Sequence, residues 1–247
     1  MPKLDWSIFW QTNPDFEQPY WQLLLEGLGW TLAISFFAWL IALAIGILVG
    51  TLRTSPSKPL RVLCTVYTEL FRNIPLLVQM FLWYFVVPEL VPPLKTWLLR
   101  VDIATAQFAT AVLCLGLFTS SRIAEQVRAG IQSLPTGQRQ AALALGLNTS
   151  RTYRHVLLPQ SLRIIIPPLT NETMNLIKNS SVALTIGLAE LTSRAREMGE
   201  YTFKYFEAFT AATLIYIVVA LLANRIMAFV EKRSAVPGLI AAKAITH

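Results

Sequence analysis

The chain contains little charge, little cysteine and little histidine. Asp, Glu, Lys and Arg make up 14% of its 247 residues, against about 25% in an average soluble domain. The two cysteines, Cys64 and Cys114, lie in or near apolar segments, which predicts buried, reduced thiols. The two histidines, His155 and His247, are far apart in sequence, so neither residue type predicts a metal site.

Several signatures of enzymes are also missing. No Gly-x-x-x-x-Gly-Lys-Ser/Thr loop occurs in the sequence, and without one the chain does not hold ATP in the Walker manner. No spacing of nucleophile, base and acid predicts a catalytic triad. We therefore expect no cofactor, no catalytic residues and no enzymatic activity in this chain.

Apolar sequence, in contrast, accounts for 54% of the residues. Residues 27–52 carry no charge, and a helix of that length reaches about 39 Å, more than the roughly 30 Å hydrocarbon core of a bilayer. Four further segments approach spanning length, although one of them contains Glu172 and Lys178. These segments predict an all-α membrane protein with five transmembrane helices, at 26–53, 73–88, 103–121, 161–183 and 208–224.

Lys and Arg are unevenly divided between the two sides of these segments. Thirteen lie in the loops after spans one, three and five, and six lie on the other side. Because positively charged loops remain in the cytoplasm, we predict a periplasmic N-terminus and a cytoplasmic C-terminus, and the net charge of +7 needs no nucleic acid as a partner. The predicted organisation is a periplasmic interfacial segment at 1–22, a five-span domain at 23–232 and a cytoplasmic tail at 233–247.

Two spans have features beyond hydrophobicity. In the first span, Ala42, Gly46 and Gly50 recur every four residues, a spacing that lets another helix backbone approach closely. In the fourth span, polar residues share one helical face, and because polar groups are costly in a membrane this face predicts a substrate or ion path. Contact between helices is the simpler alternative. The polar set is Asn171, Glu172, Thr173, Asn175, Lys178, Asn179, Ser180 and Ser181.

A motif lies between the third and fourth spans. It reads Gly-Gln-Arg-Gln-Ala-Ala-Leu-Ala-Leu-Gly over 137–146, followed after nine residues by Val-Leu-Leu-Pro over 156–159. It predicts a short helix at about 139–145 that ends at Gly146, the residue type best suited to a left-handed helix end. Asn148 or Thr149 is then expected to cap a second short helix that stops at Pro159.

This motif resembles the EAA signature of ABC importer permeases, which is Glu-Ala-Ala, three residues, Gly, nine residues and Ile-x-Leu-Pro. Gln140 stands for the usual Glu and Val156 for the usual Ile, and the matching residues are Ala141, Ala142, Gly146, Leu158 and Pro159. The resemblance implies that a cytoplasmic loop at about 134–159 couples the membrane subunit to an ATPase. The change at Gln140 bears only on a charge contact that Glu would make.

Other stretches resemble the polar amino acid branch of these permeases, namely 69–79, 124–128 and 167–181, and 118–131 and 174–187 are similar to glutamate/aspartate permeases. The resemblance implies type I ABC importer architecture in the bacterial inner membrane. It also implies a second permease, identical or homologous, two ATP-binding subunits and a periplasmic solute-binding protein. The expected substrate is glutamate or aspartate, with glutamine, basic amino acids or opines as alternatives.

Two positions favour an acidic substrate. Members of the branch commonly have Tyr where Arg122 stands and Asp where Asn179 stands, so each change makes the path more positive. Arg122 and Lys178 are then expected to replace part of the hydration of a carboxylate, in a path that also includes Glu172, Asn175, Asn179, Ser180 and Ser181. The alternatives are that Arg122 pairs with Glu125, one helical turn away, or that it lies at the cytoplasmic interface as a positive-inside residue.

Two other functional classes share the polar residues within an apolar segment. A secondary amino acid transporter also has polar residues near the bilayer midplane, but no inverted repeat is evident in this sequence. An intramembrane enzyme using Glu172 as acid or base would need a second catalytic group, and none accompanies it. A requirement for ATP and a second protein in vesicle uptake distinguishes the importer from both.

Overall fold

The computed structural model describes residues 4–234, so the predicted tail at 233–247 lies almost entirely outside the described residues. Within 4–234 the chain is helical, with one isolated β-bridge between Thr12 and Pro19. The helices are a 3-10 turn at Trp6–Trp10, α1 (Tyr20–Leu52), α2 (Lys58–Asn73), α3 (Leu76–Phe81), α4 (Val87–Leu90), α5 (Pro92–Leu98), α6 (Ile103–Gln132), α7 (Thr136–Ala144), α8 (Thr149–Thr152), α9 (Leu158–Asn179), α10 (Leu191–Thr202) and α11 (Tyr205–Ser234). Single π turns at Leu82–Val86 and Tyr153–Leu157 join α3 to α4 and α8 to α9, and a 3-10 segment at Ser180–Ile186 follows α9.

The small-residue ridge on α1 packs against α6. Ala42 is fully buried. A Cβ added at Gly46 would lie 2.7 Å from the Ile123 side chain, and one at Gly50 would lie 2.5 Å from the carbonyl oxygen of Ala124. Such separations are shorter than van der Waals contact allows, so the two backbones approach closely because these positions lack side chains. The predicted role of the ridge is confirmed.

Helix α2 was not predicted, since residues 58–73 were assigned to a loop and the start of the second span. Its axis makes an angle of 105° with the segment formed by α3 and α4. The bend lies at Ile74, which has extended backbone dihedrals before Pro75, because proline disfavours the helical conformation of the residue before it. Gln79 donates from Nε2 to the carbonyl oxygens of Phe71 and Ile74, each at 2.8 Å, and so satisfies two acceptors that the bend leaves without helical partners.

Three helices within residues 4–234 are long and apolar enough to cross a membrane, namely α1, α6 and α11, and the bent pair of α2 with α3 and α4 would make a fourth. Helix α9 has 22 residues, enough for about 33 Å. It falls short in hydrophobicity because it carries Arg163, Glu172 and Lys178. The all-helical fold of the described residues is therefore as predicted. The predicted span at 161–183 corresponds to α9, and whether α9 crosses the membrane stays a prediction.

Residues 4–19 fold over the ends of α10 and α11. The amide of Asp5 donates to Glu207 at 2.9 Å, and Asn13, which is fully buried, donates from Nδ2 to Glu197 at 3.3 Å. Ile8 is buried beneath this segment, while Trp10 is 74% exposed. The exposed tryptophan suits a position at the headgroup level. Helix α1 begins at Tyr20, before the predicted end of the interfacial segment at residue 22. The position of the membrane boundary therefore stays a prediction.

Candidate functional site

Helix α7 is the helix expected from the motif. It ends at Gly146, whose φ of +83° lies in the left-handed region. The amide of Leu147 donates to the carbonyl of Ala142 at 3.1 Å, and the amide of Gly146 donates to the carbonyl of Leu143 at 3.0 Å. These two bonds form a Schellman motif, and the prediction that Gly146 closes this helix in a left-handed conformation is confirmed.

The two alanines of the motif face different surroundings. Ala141 is exposed, whereas Ala142 is 4% exposed and turned inward. Leu145 at the end of α7 is 83% exposed and Leu143 is 44% exposed. The outward surface at the end of α7 therefore consists of small and apolar residues together with one amide, and it is formed by Gln140, Ala141, Leu143, Leu145 and Gly146.

The second part of the motif begins as predicted but does not end as predicted. Asn148 caps α8 by accepting from the amide of Arg151 at 2.9 Å. The helix does not stop at Pro159, which lies in the first turn of α9, because a π turn at Tyr153–Leu157 carries α8 into α9. The wider π turn just before Pro159 accommodates the proline, which has no N–H to donate to an upstream carbonyl. Leu158 is half-buried and Pro159 is exposed.

The loop containing α8 is attached to the end of the first helix. The hydroxyl of Tyr153 donates to the backbone carbonyl of Thr54 at 2.6 Å. Since Thr54 follows the last turn of α1, this hydrogen bond joins the loop to this end of α1.

Arg122 pairs with Glu172, so the alternative pairing with Glu125 is wrong. Its Nη1 lies 3.7 Å from Oε2 of Glu172, and Nε2 of Gln126 donates to Oε1 of the same carboxylate at 3.1 Å. The guanidinium also stands 5.5 Å from the ring centre of Phe118, a cation–π distance. The Arg122 side chain remains 41% exposed, whereas that of Glu172 is 12% exposed.

Glu125 is occupied by other arginines. Arg53 donates from Nη1 to its Oε2 at 2.5 Å, Arg128 donates to its Oε1, and Nη1 of Arg72 lies 3.7 Å away. Arg122 and Arg72 each remain 41% exposed. With Arg122 and Glu172 included, the neighbouring ion pairs hold four arginines and two glutamates, which leaves an excess of two positive charges at this part of α6.

The polar face of α9 is not covered by the chain itself. Asn171 and Lys178 are exposed, and Asn175 and Asn179 are half-buried. Ser180 is buried and its hydroxyl donates to the carbonyl of Ile177 at 2.7 Å. The half-buried Ser181 donates likewise to the carbonyl of Lys178 at 2.7 Å. In this conformation the two serines therefore direct their hydroxyl protons to their own helix.

Comparison with known proteins identifies the family. Residues 42–236 match the model of binding-protein-dependent transport system inner membrane components. This match covers most of the chain and includes α7 and α9. The chain belongs to this family.

The permease family includes relatives that match almost the whole chain. The glutamate/aspartate import permease protein GltJ of Escherichia coli K12 is 45% identical over 97% of this chain and 98% of its own length. The glutamine transport system permease protein GlnP of the same strain is 34% identical over 94% and 98%. The crystal structure of an amino acid ABC transporter with histidines superposes with a TM-score of 0.71, at 31% identity over 87% of this chain and 95% of that chain. The protein is therefore an amino acid ABC importer permease, a transport component located in a membrane.

This permease also contains a buried carboxylate that the sequence analysis missed. Glu190 is fully buried between α1, α10 and α11. Its donors are the amides of Thr192 and Ser193 at 3.0 and 2.8 Å, and the hydroxyls of Tyr216 and Thr31 at 2.9 and 3.4 Å. An acidic residue at a helix N-terminus is stabilised by the free amides there. The local signal was its position three residues after Gly187, which is left-handed with φ +87°.

Proposed function

We propose that the chain forms the translocation path of an ATP-driven importer for glutamate and aspartate, together with a second permease that is identical or homologous. The observation that carries this proposal is the uncovered polar face of α9, beside an excess of arginine contributed by α6, α2 and the end of α1. Exposed Asn171 and Lys178 would be costly against lipid. That cost disappears when the two residues line a water-filled path whose opposite wall is formed by a second permease.

The charge of this region favours an anionic substrate. A carboxylate leaving water loses hydration that fixed cations or donors must replace. Arg122 and Arg72 are each 41% exposed, so part of each guanidinium remains accessible. Glu172 orients Arg122 without neutralising the region, because the four arginines outnumber the two glutamates. The 45% identity to the glutamate/aspartate permease supports the same substrate class.

An importer permease of this kind would work with an ATP-binding subunit and a solute-binding protein. The outward surface of α7 is suited to docking on a cytoplasmic ATP-binding subunit, of which two copies would serve two permeases. Gln140, Ala141 and Gly146 lie on that surface, Ala142 supports it from inside, and Leu158 and Pro159 begin the helix that continues into the path. A periplasmic solute-binding protein would deliver the substrate, and ATP hydrolysis would take place in the partner subunit.

The topology is tested by a reporter fusion. We expect five spans with α9 as the fourth, a periplasmic N-terminus and a cytoplasmic C-terminus, because thirteen Lys and Arg lie on one side and six on the other. Alkaline phosphatase, which is active only in the periplasm, should be inactive when fused after Lys232 and active when fused after Val101. Strong activity after Lys232 would reverse the orientation and place α7 on the wrong side for an ATPase.

The substrate path is tested by a double substitution. Arg122→Tyr with Asn179→Asp should reduce glutamate and aspartate uptake at least about tenfold, which corresponds to about 1.4 kcal/mol in binding or transition-state free energy. The initial uptake rate is measured in reconstituted vesicles with saturating binding protein. Assembly and basal ATP hydrolysis should change much less, because neither residue lies on the outward surface of α7.

The matched control is Arg225→Tyr with Asn224→Asp, which makes the same two replacements on the exposed surface of α11. It should leave uptake within about twofold of the wild-type rate. Unchanged acidic amino acid uptake in the Arg122 variant would assign selectivity to the binding protein. An equal loss in both variants would show that the change of charge acts nonspecifically.

A further inference from the structure

Two cavities lie at the end of the molecule where α1 and α6 terminate, and the first of them also borders α7. The first has a volume of about 280 Å³ and is lined by Arg53, Arg61 and Arg139, with Tyr153 at one wall. The second has a volume of about 430 Å³ and is lined again by Arg53 and Arg61, and also by Arg128. No carboxylate is among the residues that line either cavity. The region is therefore strongly positive.

Arg53, which lines both cavities, has a buried donor without a partner among the described residues. Its side chain is 8% exposed, and Nη1 is bound to Glu125. Its Nε is buried and has no hydrogen-bond partner within residues 4–234. A buried donor without an acceptor is costly, and Glu125 offsets only one of the four arginine charges around the two cavities. Arg61 and Arg139 have no carboxylate within 4.0 Å among the described residues.

The second cavity also has apolar walls. Val62 and Val66 of α2 line it beside the arginines, and they are 62% and 59% exposed. Helix α2 makes an angle of 105° with the segment that follows it, so the two do not form one straight helix. A helix with a basic start and an exposed apolar side is typical of the interface between headgroups and acyl chains.

We propose that these two cavities bind the phosphate of an anionic phospholipid headgroup. The phosphate oxygens accept hydrogen bonds from Arg53 and Arg61, since guanidinium groups match phosphate geometry. The glycerol and the first part of an acyl chain lie along Val62 and Val66. This apolar wall favours a lipid over a water-soluble anion, which would gain nothing from it. Arg139 belongs to α7, so the bound lipid would also hold the coupling helix against the membrane surface.

The site is tested by lipid binding to the full-length protein. Native mass spectrometry in detergent should detect one retained phosphatidylglycerol per chain, with an apparent affinity at least about tenfold higher than for phosphatidylcholine. Arg61→Gln should reduce this preference at least about fivefold, because it removes a guanidinium shared by both cavities. Arg61→Lys should retain part of the preference, since it keeps the charge and loses only the planar fork.

The matched control is Arg225→Gln on α11, which removes the same charge from an exposed position that lines neither cavity. It should bind phosphatidylglycerol as the wild type does. Equal retention of the two lipids by the wild type, or equal losses in both Gln variants, would overturn the proposal. Displacement of the lipid by millimolar inorganic phosphate or glycerol 3-phosphate would overturn it as well, because the site would then belong to a soluble anion. Size-exclusion profiles identify misfolded variants, and Arg139→Gln then replaces Arg61→Gln as the test.

Discussion

Replacement of Gly146 by valine is expected to separate ATP hydrolysis from amino acid uptake while the protein remains in the membrane. Gly146 has φ +83° and a Cβ at this position would meet nothing within 4 Å, so the obstacle is the backbone conformation and not crowding. A β-branched residue disfavours the left-handed region by about 1–2 kcal/mol or more. The Schellman end of α7 would then open, and Leu145 and the outward surface would shift from the docking position.

We expect the uptake rate to fall about tenfold or more, since about 1.4 kcal/mol corresponds to a factor of ten. Uptake and ATP hydrolysis are measured together in reconstituted vesicles with the ATP-binding subunit. Gly146→Asn should retain much of the coupling, because asparagine enters the left-handed region more readily than valine. Gly137→Ala, at an exposed position with open space around it, is the second control. Normal coupling in Gly146→Val would disprove the docking role of this helix end.

Replacement of Gly50 by alanine is expected to destabilise the protein, although alanine favours helices over glycine by about 1 kcal/mol. The added Cβ would lie 2.5 Å from the carbonyl oxygen of Ala124 and 2.6 Å from Cβ of Val127. Backbone atoms of α6 move only with the whole helix, so α1 and α6 must separate. Overpacking of this kind costs about 1–3 kcal/mol. The midpoint of thermal unfolding in detergent should fall by several degrees.

Gly29 provides the same substitution on the same helix. A Cβ at Gly29 would meet nothing within 4 Å, so Gly29→Ala should leave the unfolding midpoint unchanged or raise it slightly. Equal midpoints for Gly50→Ala and Gly29→Ala would mean that the close contact between α1 and α6 does not limit stability. A larger residue, as in Gly50→Leu, should reduce the yield of folded protein further.

Some elements were accessible from sequence because a single local signal specifies them. The uncharged run at 27–52 predicted α1, and the glycine after a short periodic segment predicted the end of α7. Helix α2 was missed because charged residues at 58, 61, 69 and 72 interrupt it, so it contains no apolar run of spanning length. The direction of the bend at Ile74 and Pro75 is not contained in the sequence, because proline favours a break in a helix but does not fix the direction of the next helix.

The arrangement of the candidate site was harder to predict from the sequence. Arg122 has Glu125 one helical turn away in sequence, and local spacing favoured that pair. In the structure, Glu125 is bound to Arg53 and Arg128, and Arg122 reaches Glu172 on α9. The choice among carboxylates depends on which helices are neighbours, and spacing along one helix does not contain that information.

The sequence by itself determined that the chain is a helical membrane protein, where its apolar helices lie, and how α7 ends. These properties depend on hydrophobicity and on backbone preferences of single residues, which act locally. Tertiary structure alone decided that Ala142 faces inward while Ala141 faces outward, that Glu190 joins three helices, and that Arg53 and Arg61 share two cavities. Each of these is set by contacts between helices far apart in sequence, and such contacts form only where the packing of small residues such as Gly46 and Gly50 brings the helices together.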